Sequence, residues 1–218
     1  MGVDEGADTA RQKLAVLATV SIVGTAIFVV LIAALHFLSP EFDPIQRRTS
    51  EYAVGAFGYL MTVAFIALSV STWALVIGLR RDLSEPARSM LGLALLGVFG
   101  IGLLVAAAFP TDLEGAPQTV VGTVHTINGA LTFLSVVIGA NFVSRTLKHD
   151  ESWRQTHGVA WVLALIMIPV FLAGGAAAAR AAGGGIAQRI LLVTICTWFF
   201  LMATRLRSNA TQAAAATG

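Results

Sequence analysis

Long apolar runs alternate with short polar segments along the whole chain. A helix needs about 20 apolar residues to cross the hydrocarbon core of a bilayer. Six runs reach that length, at residues 14–38, 53–79, 89–109, 120–147, 158–179 and 186–206. A short Ala/Gly segment separates the last two runs, and one helix through both would be long enough to cross twice. The pattern predicts an all-α polytopic membrane protein with a bundle of six transmembrane helices within residues 14–206.

The composition narrows the class of protein further. Of 218 residues, 56% are hydrophobic and 12% are charged, and the mean hydropathy is +0.80. Soluble domains carry about 25% charged residues, so this chain has too few polar side chains to cover a water-facing surface. The basic residues are dispersed among the loops and form no stripe, which argues against a nucleic-acid partner. The single cysteine, Cys196, permits neither an internal disulfide nor a paired-cysteine metal motif.

The basic residues also predict an orientation. Ten lie in the N-terminal tail, the even-numbered loops and the C-terminal tail, whereas four (Arg47, Arg48, Arg180 and Arg189) lie on the opposite side. Short cytoplasmic loops are enriched in Lys and Arg, so both ends are predicted to be cytoplasmic. The domain organisation is then a tail over 1–13, the bundle over 14–206 and a disordered Ala-rich tail over 207–218. The expected location is the cytoplasmic (inner) membrane of the cell, as a multi-pass protein.

The first outer loop carries a concentrated set of charges. Asp43 followed by Pro44, with Gln46 two residues later, has the form of a helix start. The pattern predicts a short helix from Pro44 that continues into the second span. On that helix Asp43, Arg47 and Glu51 are spaced four residues apart and are expected to pair along one face. Glu51 is expected to point into the bundle.

The second outer loop and the fourth span add a polar face. Residues 110–118 form an acidic segment without a basic residue, and Asp112, two positions after Pro110, is its first acidic residue. In the span that follows, His125, Asn128, Gly129 and Thr132 share one helical face. Because polar side chains are costly against lipid, this face is predicted to point inward and to mark a functional site.

These segments define a candidate site on the outer side of the membrane. Its predicted binding residues are His36, Asp43, Arg47, Arg48, Ser50, Glu51, Asp112, His125, Asn128 and Arg189, with Arg180 and Gln188 expected to complete the ring. The candidate catalytic residues are His125, Asp112 and Glu51. The candidate metal ligands are His36, His125 and Asp112, because imidazole and carboxylate groups are the donors that a divalent metal cofactor would use.

Three stretches of these segments carry a family resemblance. They are Ser-Pro…Asp-Pro…Ser-Glu-Tyr-Ala within residues 39–53, Phe-Pro-Thr-Asp at 109–112 and Gly-Thr-Val-His at 122–125. In these motifs, which cover roughly the first four spans, the chain resembles an uncharacterised family of prokaryotic six-helix membrane proteins, domain of unknown function 998. The resemblance implies a six-helix fold and supports the choice of site residues. It implies no known reaction.

Three functions remain open. The first is a structural, accessory or assembly subunit, in which the ion pairs pin the outer loops and the partner is another membrane protein or a second copy. The second is an enzyme that acts on a lipid or isoprenoid at the outer leaflet, with His125 as base and Asp112 orienting it, or with a metal. The third is a small transporter or lipid-binding protein, with Arg48 and Arg189 holding an anionic head group. No ionisable relay crosses the middle of the spans, so a proton-coupled pump is not expected.

Overall fold

The computed structural model describes residues 2–113, 115–179 and 184–215; Arg180, which the sequence placed in the outer ring, lies outside them. The described chain is all-α and contains no strand. Its helices are α1 (Gly2–Leu38), α2 (Gly58–Asp82), α3 (Met90–Ala108), α4 (Val120–Thr146), α5 (Arg154–Ala179) and α6 (Gly185–Ala215). Three short 3-10 helices lie at Thr49–Val54, Glu85–Ala87 and Leu147–His149.

Six helices in the described residues are long and apolar enough to cross a membrane, which confirms the predicted fold class. The end helices are longer than the apolar runs. Residues 2–13 are part of α1, and residues 207–215 are part of α6, where the sequence pattern predicted disorder. Alanine is the best helix former, and a helix that already exists in the membrane is extended at little cost. The Ala-rich segment therefore continues α6.

The helices are arranged in a ring. Each packs against its neighbour in sequence, and α1 packs against α6. Close approaches between small residues hold the ring together: a Cβ added at Gly24 of α1 would lie 2.6 Å from the Ala67 carbonyl oxygen of α2. Buried hydroxyls bridge the same two helices, since Ser71 Oγ lies 3.1 Å from Ser21 Oγ and 2.8 Å from Thr25 Oγ1. Packing of small and hydroxyl side chains is how helices associate where the surrounding solvent is lipid.

The two ends of the bundle differ. The end that carries both termini, the terminal end, is tied by polar side chains. Asp82 accepts hydrogen bonds from Trp153 Nε1 (2.8 Å) and Asn209 Nδ2 (2.9 Å), which links α2, the start of α5 and α6. Burial raises the pKa of Asp150, but hydrogen bonds from Ser152 and Ser84 outweigh it and leave that pKa below its ordinary value.

The loop after α1 lies at the opposite end, which we call the pocket end. The predicted continuous helix from Pro44 does not form there: α2 begins only at Gly58, after the 3-10 helix. Asp43 accepts the Ile45 backbone N–H (2.8 Å), and Arg48 is extended, with φ −73° and ψ 150°. The chain turns so tightly that a Cβ on Gly58 would collide with the Ala53 carbonyl. A continuous helix from Pro44 into α2 is incompatible with this turn.

Candidate functional site

Two adjoining cavities occupy the pocket end. The first, the central cavity, has a volume of about 300 Å³ and is lined by all six helices. Its deep part is apolar, with the phenylalanines Phe28, Phe65, Phe99, Phe133 and Phe171 in its wall; its polar end is formed by Arg48, Thr49, Ser50, His125 and Asn128. The second, the vestibule, is about 330 Å³ and is lined by polar loop residues that include Glu51, Thr111, Asp112 and Gln118.

Arg48 belongs to both cavities. It immediately precedes the 3-10 helix, and its backbone N–H donates to Glu51 Oε1 at 3.0 Å. Its half-buried guanidinium has no hydrogen bond or ion pair with any residue that the structure describes. A cation in such a position is stable only with water or an anion beside it. Within the described chain, Arg48 is therefore a cation that no protein group neutralises, and we treat it as a candidate binding group.

His125 forms part of the same polar end. Its side chain is buried in α4, and Nδ1 lies 2.7 Å from the Phe109 carbonyl oxygen. A carbonyl only accepts, so Nδ1 carries the proton and Nε2 of the neutral ring is an acceptor. Nε2 has no protein partner in the described part of the chain. His125 lines the central cavity, and its acceptor nitrogen is not engaged by any described residue.

Asp112 does not orient His125, as the enzyme hypothesis had it. Its carboxylate accepts the Thr119 backbone N–H (2.7 Å) and the Thr119 hydroxyl (2.8 Å) instead. Thr119 in turn caps α4 by accepting from the Gly122 N–H. A Cβ on Gly122 would collide with the Asp112 carboxylate, which is why the loop can lie so close to the helix. Asp112 therefore fixes the start of α4 and lines the vestibule.

Glu51 lies inside the bundle, as expected. It is 2% exposed and pairs with Arg47, whose Nη1 lies 3.0 Å from Oε2. Asp43 is exposed and lines neither cavity. An ion pair between Asp43 and Arg47 was expected, but the Asp43 carboxylate accepts the Ile45 backbone N–H in a turn instead.

Arg189 and His36 form a clamp beside the cavities. Arg189 Nε donates to His36 Nε2 (2.8 Å), while His36 Nδ1 bonds to the Ile32 carbonyl (2.7 Å). The other Arg189 nitrogens reach the Arg47 carbonyl (2.7 Å) and the Tyr52 hydroxyl (3.1 Å). These bonds pin the first loop to α1 and α6. Arg189 therefore donates its hydrogen bonds to protein acceptors and stabilises the fold. It does not join Arg48 as an anion ligand.

Two contacts in this region were not anticipated from the sequence. The Gln188 side-chain oxygen accepts from both the N–H (2.8 Å) and the hydroxyl (3.0 Å) of Thr49. The Ile186 N–H, at the start of α6, donates to the Ile45 carbonyl (3.2 Å). The loop thereby satisfies a free N–H of a helix terminus. The sequence could have identified Tyr52 as a residue of this region, because it lies within the Ser-Glu-Tyr-Ala motif.

The remaining polar face of α4 supports the bundle. Asn128 Nδ2 donates to the Gly102 carbonyl of α3 (2.9 Å), and the Thr132 hydroxyl lies 3.4 Å from Asn128 Oδ1. Ser50 is buried at the polar end of the central cavity. As predicted, this face points inward.

The metal candidates are not brought together. Among the described residues, no group of three or more His, Cys, Asp or Glu side chains is arranged to hold a metal ion. Both ring nitrogens of His36 are engaged, one with a guanidinium, and Asp112 is committed to Thr119. These three residues do not provide the converging donors that a divalent metal requires.

Comparison with known proteins adds a family. Residues 22–205 match a family described as "Protein of unknown function (DUF998)". The chain belongs to this family. The match extends into α6, beyond the first four spans whose motifs carry the resemblance. Neither a search of curated proteins nor one of solved structures finds a match. This DUF998 member is thus an integral membrane protein of unknown activity, and an assignment of function has to come from its site.

Proposed function

We propose that this DUF998 protein binds a lipid with an anionic head group, with the head at Arg48 and the hydrocarbon chain in the central cavity. The observation that carries the proposal is the guanidinium of Arg48, which has no partner in the described chain and stands where the vestibule meets the apolar cavity. A guanidinium binds phosphate and carboxylate groups through paired hydrogen bonds.

The shapes of the two cavities suit the two parts of such a ligand. The vestibule is lined by loop residues such as Gln118 and Gly115, which leaves a charged head group in contact with water. The central cavity offers an apolar wall at the depth of the spans. Its volume is at the lower end of ligand pockets, which run from about 300 to 1,000 Å³. It fits one hydrocarbon chain better than a bulky ring system.

Binding is supported better than transport. Toward the terminal end the interior is filled by large side chains that are not exposed at all, among them Trp198, Phe199, Met202 and Leu206. A transported molecule would need a polar path through this region. The ten-to-four distribution of basic residues supports a pocket end on the non-cytoplasmic side of the inner membrane, so the proposed ligand comes from the outer leaflet.

The test is a binding measurement with matched ligands. Phosphatidate and a polyprenyl phosphate are the anionic probes, and diacylglycerol and polyprenol are their neutral counterparts. Arg48→Gln should weaken binding of the anionic probes about 10- to 100-fold, the loss expected when charged hydrogen bonds worth 1.5–3 kcal/mol are removed. Binding of the neutral probes should be unchanged.

Arg81→Gln is the matched control, because Arg81 is exposed at the terminal end. Preference for one anionic probe identifies the tail as acyl or isoprenoid. Equal affinity of Arg48→Gln and wild type for both anionic probes would refute the proposal.

A second function, enzymatic, is favoured by His125. His125 lines the cavity that Arg48 also lines, and its Nε2 has no partner among the described residues. A histidine whose Nδ1 is fixed by a carbonyl is oriented to accept a proton through Nε2. We infer that a ligand hydroxyl held near Arg48 would meet this base. His125→Asn should abolish turnover of a phosphorylated lipid while its binding persists; product formation by that variant at the wild-type rate would exclude the role.

The accessory-subunit hypothesis accounts for less. It anticipates ion pairs that pin the loops, such as Arg47 with Glu51, and these are compatible with any function. It gives no reason for an arginine beside an apolar cavity that none of the described residues pairs with. Co-purification of a stoichiometric second membrane protein, with no bound lipid, would favour this hypothesis over ligand binding.

A further inference from the structure

The central cavity is not closed on all sides. Its lining residues from α1, α2 and α3 are all buried, for example Phe28, Met61 and Phe99. Three described lining residues are instead exposed at the surface: Thr126 and Ala130 of α4 and Gly175 of α5. A residue is both exposed and part of a cavity wall only where the cavity opens. Thr126 also lines the vestibule, so its exposure belongs there. Among the described residues, Ala130 and Gly175 therefore mark a separate opening between α4 and α5.

The contacts between these two helices explain the opening. In the described chain their hydrogen bonds lie toward the terminal end, where Asn141 Nδ2 donates to the Ala164 carbonyl (2.8 Å) and Ser144 Oγ to the Ala160 carbonyl (3.2 Å). Nearer the pocket end the helices stand apart: a Cβ added at Gly129 or Gly175 would meet no atom within 4 Å. We call this gap, bordered by Gly129, Ala130, Phe133, Phe171 and Gly175, the slot.

Two features of α5 agree with this separation. Pro169 lies between Ala164, where α5 still bonds to α4, and Phe171, where it borders the slot. A proline inside a helix removes one backbone hydrogen bond and bends the helix at that point. Of the six apolar stretches, that of α5 is also the least buried, at 17% against 28–50% in the others. Over its described residues, α5 is therefore the most exposed of the six spans.

The depth of the slot identifies what faces it. Ala130 lies ten residues from the start of α4, or about 15 Å along the helix axis at 1.5 Å per residue. Half of the hydrocarbon core is also about 15 Å thick. The slot thus faces lipid chains and not water, and it leads into an apolar cavity.

We propose that the slot is a lateral portal, through which one hydrocarbon chain of a membrane lipid enters the central cavity from the leaflet at the pocket end. This proposal rests on the proposed lipid-binding function. It restricts the ligand to molecules that approach from within the membrane. A lipid with a second chain can keep that chain in the bilayer, because the slot remains open beside it.

The test uses phosphatidate with a photoreactive diazirine midway along one acyl chain, in phosphatidylcholine vesicles that contain the full-length protein. Labelling should reach Phe99 and Leu103 of α3, which are 1% and 5% exposed and are accessible to a lipid only inside the cavity. Gly175→Phe and Ala130→Phe, which place a ring in the slot from either side, should each lower this labelling about tenfold. Gly158→Phe is the control, because Gly158 is an exposed position of α5 near the terminal end, where an added Cβ meets nothing.

The outcomes separate this proposal from the previous one. If Arg48→Gln lowers phosphatidate binding but the slot variants label α3 as the wild type does, the portal is refuted and the lipid-binding function stands. If Arg48→Gln changes nothing, the binding function itself fails. Labelling confined to lipid-facing side chains, or a cross-link between two protein chains at the slot, would also overturn the portal. Size-exclusion profiles and helicity show that each variant is folded.

Discussion

The clamp formed by Arg189 allows a quantitative prediction. Its guanidinium makes three hydrogen bonds that join different elements, to His36, the Arg47 carbonyl and Tyr52, and it lies 5.8 Å from the centre of the Tyr52 ring. Hydrogen bonds between membrane helices contribute about 0.6 kcal/mol each on average, and a cation above an aromatic ring about 0.5–1 kcal/mol. Arg189→Gln should therefore lower the free energy of unfolding by about 2–3 kcal/mol.

The chain supplies its own reporter for this measurement. Cys196 is its single cysteine, and it is buried in α6, so burial keeps its thiol from reagents in the folded state. A thiol-reactive dye will react as the bundle unfolds. For a chain of this size about 2–4 °C of Tm corresponds to 1 kcal/mol, so the expected decrease is about 5–10 °C.

Two variants complete the experiment. Arg189→Lys keeps the charge but cannot make bonds to several acceptors in a plane, and its Tm should lie between those of Arg189→Gln and the wild type. Arg207→Gln is the matched control, since Arg207 is exposed on the same helix; surface changes are usually within about 0.5 kcal/mol. If Arg189→Gln lowers the Tm no more than Arg207→Gln, the clamp does not stabilise the fold.

Three further predictions concern the bundle itself. Gly24→Leu should destabilise it by about 1–3 kcal/mol, because the new side chain would collide with the Ala67 carbonyl. A thermal melt measures this loss. Trp153→Phe removes the bond to Asp82 and also shortens a fully buried ring system, so it should cost more than about 1 kcal/mol in the same assay. The lowered pKa of Asp150 means that its stabilising effect is full above the ordinary value of 3.8 and is lost as the pH falls through the folded-state pKa. The Tm difference between wild type and Asp150→Asn should accordingly be constant near neutral pH and shrink in acid; a difference independent of pH would contradict this account.

The hydrophobic pattern predicts the six helices because membrane spans have a length fixed by the bilayer. It does not predict where helices extend into polar segments, as α6 does over 207–215, because propensity and continuity decide there. The break between the first loop and α2 also escapes the pattern. The Asp43-Pro44 pair reads as a helix start, yet the same aspartate serves a turn at Ile45.

The candidate site, too, could be predicted from the sequence only in part. The spacing of His125, Asn128 and Thr132 was sufficient to predict an inward face, since helical periodicity decides that question. Partner choice was not predictable. In the sequence, Arg47, Arg48 and Arg189 are equivalent candidates near the pocket end. Only the structure distinguishes them, because it bonds Arg47 to Glu51 and Arg189 to His36 but gives Arg48 no such partner among the described residues.

The unequal ends of the bundle support a common explanation for the site and the slot. At the terminal end Asp82, Trp153 and Asn209 fix α2, α5 and α6 to one another, and Asn141 fixes α4 to α5. A ligand that enters sideways needs one helix that can stand away from its neighbour without loosening the rest. Fixing α5 at one end and leaving it apart from α4 beyond Pro169 meets that need, because displacement of the pocket-end half breaks no hydrogen bond between the two helices that the structure describes. A bundle tied equally at both ends would have to unfold a span to admit a lipid chain, and its cavity would serve only molecules that arrive from water.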